Sequence, residues 1–318
     1  MVKVLKWISD HLLYLVLVVG AFSLFFPDLG SSLGFGVTPV LALMVLNVSM
    51  TIKIEDLKQI KKYPLIILWS VFLQFVPMVL FSLLLAKIFF KAGDINTGQL
   101  LLGSLPADIS APLMVYLVGG STALATAMLV AAMALTPFVL PTVLTWLGGV
   151  AFKVPTSYLV IELAGIILIP AILGIILNYF SIKVREKEEA WSGFASVCYI
   201  TLLFVVVSSN AKAIIALKIF AFVILLIEIA LNLFGYALAY LTKLVFKQNK
   251  TFYPLLFLVS SKEFGIASAA VDTMKLSTSI AIPSAFYAVV QMVSLPIMVK
   301  VINSFKSTKQ KYKKMEVK

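Results

Sequence analysis

Leu258 to Thr273 read LVSSKEFGIASAAVDT, and Lys262 and Glu263 stand side by side there inside an apolar run long enough to cross a membrane. An ionisable residue at bilayer depth costs at least about 2.5–3.5 kcal/mol on insertion scales, so such residues are placed for function and have partners. Neighbouring helix positions point about 100° apart, so an intact helix does not let the two charges close on each other. Ser260, Ser261 and Gly265 mark a break in the helix at this point. A helix broken at mid-membrane exposes carbonyls and amides that must line a cavity or bind something, which is how transporters build ion and substrate sites.

The composition agrees with that reading. Hydrophobic residues make up 61% of the chain and charged residues 13%, with a mean hydropathy of +1.06. A soluble globule is excluded, and an all-α polytopic membrane protein is expected. The net charge of +12 does not point to nucleic acid, because the basic residues fall in short connections and in the tail Lys306 to Lys318. Cytoplasmic-loop bias and anionic membrane lipid account for it. The single Cys198 excludes an intramolecular disulfide, and the lone His11 speaks against histidine-based metal or triad chemistry. Neither an enzyme nor a resident cofactor is expected, sodium ions apart.

Ten spans are expected. The first ends at Phe26-Pro27-Asp28, and the second runs from Gly36 to Ile52. Lys53 to Lys62 form a charged connector, and the third span, Tyr63 to Phe90, carries Gln74 in its middle. In the fourth, Leu100 to Val118, Pro106, Asp108 and Pro112 interrupt the apolar run; two prolines so close do not fit an undisturbed helix. The fifth to eighth spans are Ser121 to Leu147, Ser157 to Phe180, Trp191 to Asn210 and Ile214 to Val245. The ninth is the broken one at Lys262-Glu263, and the tenth is Ser277 to Val301. On this plan 19 of the 26 lysines and arginines lie on the side of the termini, six lie opposite and Lys262 lies in the membrane. Both termini are therefore expected in the cytoplasm, with the protein in the inner, or cytoplasmic, membrane.

The chain also divides into halves, 1–155 and 156–305, followed by a basic tail, 306–318. A shift of 156 superposes Ser121 on Ser277, Thr122 on Thr278 and Ala125 on Ala281, and places the two breaks at corresponding points. Five spans per half force the halves into opposite orientations, which is an inverted repeat.

Four stretches resemble the bile acid:sodium symporter family: Met44 to Leu57 (MVLNVSMTIKIEDL), Gln74-Phe75, Leu105 to Ala125 (LPADISAPLMVYLVGGSTALA) and Lys262 to Val271. The resemblance implies fourth and ninth helices that cross at mid-membrane, a panel of spans 1, 2, 6 and 7, and a core of spans 3–5 and 8–10. It also implies sodium held by Glu263 and Gln74 with the backbone carbonyls of Phe264 and Ile266, and a substrate and crossing region around Asp108, Ser110, Ala111, Pro112, Ser268 and Asn47. The sequence departs from the family where sodium-coupled members carry Ser-Asn and Gln-Asn, since it has Ala111-Pro112 and Ala267-Ser268. Lys262 is then a candidate substitute for a sodium ion, neutralising Glu263 or Asp108. Asp108 reads equally as a helix cap, and Glu228 as a proton carrier or as a hydrogen-bond partner of a neighbouring helix.

The function expected is secondary transport of a small organic anion by alternating access, with sodium or a proton as coupling ion and altered cation sites. The positive ends of the half-helices favour an anionic group. A proton-coupled or uncoupled exchanger or efflux permease of the same fold is the alternative, followed by a channel and a membrane-embedded enzyme. Substrate identity, direction of transport and oligomeric state are not readable from the chain.

Overall fold

The computed structural model describes residues 2–27, 29, 36–147, 156–246 and 249–316, and all the regular structure in them is helical. In chain order the helices are α1 (Val2–Asp10), α2 (Leu12–Phe25), α3 (Val37–Ser49), α4 (Ile54–Lys62), α5 (Pro64–Phe75), α6 (Pro77–Phe89), α7 (Asp94–Gly103), α8 (Ala111–Leu117) and α9 (Thr122–Leu147). There follow α10 (Thr156–Leu163), α11 (Ile169–Phe180), α12 (Ile182–Arg185), α13 (Glu188–Ala216), α14 (Ile219–Phe246), α15 (Asn249–Val259), α16 (Phe264–Thr273) and α17 (Ile282–Glu316). Seven helical runs among the described residues are long and apolar enough to cross a membrane; an eighth joins them if α3 and α4, bent by 83° at their junction, form one span.

Two groups of helices emerge from the packing. In one, α13 lies against α1, α2 and α3, and α11 lies against α3. In the other, α9 packs on α4, α5, α8 and α15, while α14 packs on α6, α15 and α17. The contact of α16 with α3 joins the groups. Outward faces are apolar, with Leu65, Phe180 and Ile219 exposed, as expected of helices solvated by lipid.

Local sequence explains the interruptions. Pro64 and Pro77 open α5 and α6, where a missing N–H costs nothing, and Pro77 interrupts the helix by one residue inside the run Pro64–Phe89, which remains one membrane-length span where Tyr63 to Phe90 was expected. After α8, Gly119 takes a φ of 63°. Its N–H donates to Tyr116 O at 2.8 Å and that of Gly120 to Val115 O at 2.9 Å, the paired bonds of a glycine-terminated helix that lets α9 start at once.

Several boundaries differ from the sequence expectation. The connector Lys53 to Lys62 is mostly helical, and α13 runs on to Ala216, so that α14 begins at Ile219 rather than Ile214. A single π-helical turn, Ala164–Leu168, joins α10 to α11 inside the sixth span. The last helix continues from the apolar run through 306 to Glu316, so the basic stretch extends a helix rather than hanging free of it. The boundary expected at 155 falls next to residues 148–155, outside the described residues.

Candidate functional site

The breaks at 104–110 and 260–263 meet inside the protein, and the backbone groups they free are satisfied by each other and by a few side chains. Glu263 N donates to Pro106 O at 2.9 Å, which stitches one break to the other. Ala107 N donates to Gln74 Oε1 at 2.9 Å, Asp108 N to Ser261 Oγ at 3.3 Å and Ile109 N to Glu263 Oε2 at 3.1 Å. Ser110 N donates to Asp108 Oδ1 at 2.7 Å, and the Ser110 hydroxyl to the same oxygen. Across the junction, Lys262 N donates to Gln291 Oε1 at 2.8 Å, and Gly265 N to Glu263 Oε1 at 3.3 Å. On the acceptor side, Ser260 O receives Asn232 Nδ2 at 2.6 Å and the Tyr287 hydroxyl at 2.9 Å. Gln74, Asp108, Lys262, Glu263 and Gln291 have no exposed surface, so without these partners each freed group would be a bare polar atom in an apolar interior.

Lys262 is held by oxygen from three points of the backbone. Its Nζ donates to Gln74 O at 3.0 Å, Gly103 O at 2.9 Å and Leu105 O at 2.7 Å, which uses all three ammonium hydrogens. Gly103 and Leu105 lack the continuing helical turn that would otherwise take up their carbonyls, and they sit at the negative end of the α7 dipole. This is the environment that a half-helix C-terminus offers a bound cation. No ion pair joins Lys262 to Glu263 or Asp108; the ion pairs among the described residues are Lys6 with Glu189 and Lys53 with Glu188. The carboxylates are met instead by N–H groups, with Gln291 Nε2 adding a bond to Asp108 Oδ2 at 2.7 Å.

The residues singled out from sequence are only partly brought together. Gln74, Asp108, Ser110, Lys262 and Glu263 share the junction, and Ala111 and Pro112 open α8 beside it. Phe264 and Ile266 lie within the first turn of α16, where carbonyls serve the helix; the carbonyls that hold a positive charge belong to Gln74, Gly103 and Leu105. Ser268 lies a turn further along α16. Asn47 turns its amide back to Leu43 O in its own helix at 2.7 Å. Glu228 is paired with Gln99, one helical turn before Gly103. The ends of the half-helices present their N–H groups to Glu263 and Asp108, so the chain's own carboxylates take the place expected for an anionic ligand. Sequence reasoning passed over Gln291 and Tyr199; the signal available was a glutamine and a tyrosine near the middle of largely apolar spans.

Two cavities flank the junction. One, of about 600 Å³, is lined by Ser110, Pro112, Thr126, Ser196 and Tyr199 and extends to Lys53, Asp56 and Glu188. The other, of about 460 Å³, is lined by Gly36, Asn210, Ser268, Asp272 and Lys275. Both lie along α13. At about 1.5 Å per residue, Glu188 near the first and Asn210 in the second stand about 33 Å apart, roughly the hydrocarbon thickness of a bilayer.

The profile of the family described as the Sodium Bile acid symporter family matches residues 38–217. A Bacillus subtilis (strain 168) protein named as the uncharacterized sodium-dependent transporter YocS is 23% identical over 275 residues, which cover 86% of this chain and 85% of that one. The probable sodium/metabolite cotransporter BASS1, chloroplastic, of Oryza sativa subsp. japonica is 24% identical over 173 residues, 54% of this chain and 43% of the relative. With more than half of its length matched by the profile, the chain belongs to the sodium bile acid symporter family, and it is a membrane transporter rather than an enzyme.

Proposed function

We propose that the protein moves a small organic anion across the membrane by alternating access around the junction of its two broken helices. The observation that carries this reading is the pair of cavities at opposite ends of α13, separated by a junction in which Gln74, Asp108, Lys262, Glu263 and Gln291 have no exposed surface. A channel needs a continuous wet path, whereas a carrier needs two vestibules and a closed septum. The anion is inferred from the bile acid of the family description and from hydroxyls at the inner end of the larger cavity. Among these, Thr126 makes no hydrogen bond within the described residues.

On this reading the broken pair α7 and α8 and the short helix α2 count as spans beside the longer runs, giving ten in two inverted halves, 1–155 and 156–305. The contacts are consistent with it. Lys6, Lys53, Glu188 and Glu189 gather at one end, while Gly36, Asn210 and Lys275 gather at the other. The lysine and arginine asymmetry assigns the first end to the cytoplasm. The panel would be the α13 group and the core the α9 and α14 group, moving past each other between the cavities.

Glu263 is proposed as the coupling carboxylate. The relatives carry sodium in their names, and Glu263 with Gln74 is the oxygen pair around which sodium would bind. Lys262 sets the chain apart, since its ammonium already fills a three-carbonyl cage a few bonds away. A resident positive charge raises the electrostatic cost of adding sodium beside it, so sodium stimulation is expected to be weak. Counterflow in proteoliposomes tests the carrier: exchange of labelled for unlabelled substrate with trans-acceleration is expected, and flux without trans-acceleration would contradict the reading.

A further inference from the structure

Glu228, within α14, has no exposed surface, and its one hydrogen-bond partner among the described residues is the side chain of Gln99 on α7, equally buried. The donors in this cluster can be counted out. Gln99 Nε2 carries two hydrogens and gives them to Ser82 Oγ at 3.2 Å and Glu228 Oε2 at 3.4 Å. Ser82 Oγ gives its single hydrogen to Gln99 O at 2.6 Å. Neither Gln99 nor Ser82 has a donor left, yet Gln99 Oε1 and Glu228 Oε1 are both buried and without a partner among the described residues. An ionised carboxylate would sit here with one long hydrogen bond and no cation, an arrangement that buried charges do not tolerate. The charged and titratable groups nearest to it are committed elsewhere. Tyr287 on α17 donates its hydroxyl to Ser260 O at 2.9 Å. Lys262 gives its three hydrogens to backbone carbonyls.

We propose that Glu228 is a proton-binding site: its carboxyl is held as the neutral acid, the acid hydrogen is the donor that the bare acceptors of Glu228 and Gln99 lack, and the proton stays bound throughout the transport cycle. The second half of the statement rests on the alternating-access reading, and the first does not. Ser82, Gln99 and Glu228 line neither cavity, and the helices that carry them, α6, α7 and α14, pack within one group. Movement of one group past the other leaves the site intact and gives the proton no exit. Glu228 is then a neutral tie between α14 and the broken α7, distinct from the coupling carboxylate.

Infrared spectra of the full-length protein in liposomes test the bound proton. The parent should show a protonated-carboxyl stretch that Glu228→Gln lacks, and the band should persist from mildly acid to mildly alkaline pH. Gln99→Leu should move the band to higher frequency by removing its hydrogen-bond partner, which keeps the test alive if Glu228→Gln does not fold. Absence of the band, its loss at alkaline pH, or no response to Gln99→Leu would overturn the proposal. Retention of the proton is read separately with a trapped pH dye during counterflow: the trace of Glu228→Gln should match the parent, and selective loss of proton movement would show that the proton is carried rather than kept.

Discussion

Lys262 and Glu263 are chain neighbours whose charges are satisfied in opposite directions, the ammonium by three carbonyls and the carboxylate by two backbone N–H groups. That division follows from the break. A half-helix that ends leaves carbonyls, one that begins leaves amides, and adjacent residues at the junction can each face the end that suits their charge. Glu263→Gln keeps the shape of the site but replaces one carboxylate oxygen with a donor, so either Ile109 N or Gly265 N loses its acceptor. A loss of about 1–3 kcal/mol in stability is expected for that bare group, together with retained membrane insertion and no concentrative uptake. Full gradient-driven uptake by the variant would remove Glu263 from the coupling role. Among the single residues, Gln74 and Glu263 were legible because a polar or charged side chain in an apolar run is itself a signal. The cage around Lys262 was not, because backbone carbonyls leave no mark in a sequence.

At the scale of elements, close approach of backbone to backbone fixes the junction. A Cβ on Gly235 of α14 would lie 2.6 Å from Ser260 Cα and 2.8 Å from Val259 O, whereas one on Gly20 of α2 would meet only Leu203 Cδ2 at 3.9 Å. Gly235→Ala must therefore push α14 away from the end of α15, and a cost of about 1–3 kcal/mol is expected from overpacking. Gly20→Ala should instead gain up to roughly 0.5–1 kcal/mol from helix propensity. Melting of the two purified variants checks both signs, and equal effects would mean that the α14 contact is not tight. Both breaks were readable in advance because proline, serine and glycine interrupt apolar runs there. The interruption at Val76-Pro77 and the π-turn at Ala164–Leu168 escaped notice, since hydropathy stays high through both and records nothing of hydrogen-bond register.

For the molecule as a whole, the sidedness of the charges and the positions of the cavities make one claim about orientation. Single cysteines at Lys61 and Lys183 should react with impermeant reagent only from the cytoplasmic face, and those at Lys91 and Lys275 only from the opposite face. Reversed labelling would invert the orientation, and Lys91 and Lys275 reacting from different faces would break the ten-span plan. The membrane class and most span positions were visible from composition and hydropathy. The count of ten was not settled by helix length, because α2, α7 and α8, which the proposed plan needs as spans, are each shorter than a bilayer-spanning helix.

The central claim is that Lys262 supplies, within the chain, a positive charge that a bound cation would otherwise bring to the junction. Uptake of the labelled substrate into vesicles, with sodium or choline outside at matched pH, measures it most directly in the parent and in Lys262→Ala. The account predicts little sodium stimulation in the parent and a gain of sodium dependence in Lys262→Ala, whose three carbonyls are then free to hold an ion. A steep, saturable dependence on sodium in the parent would contradict it.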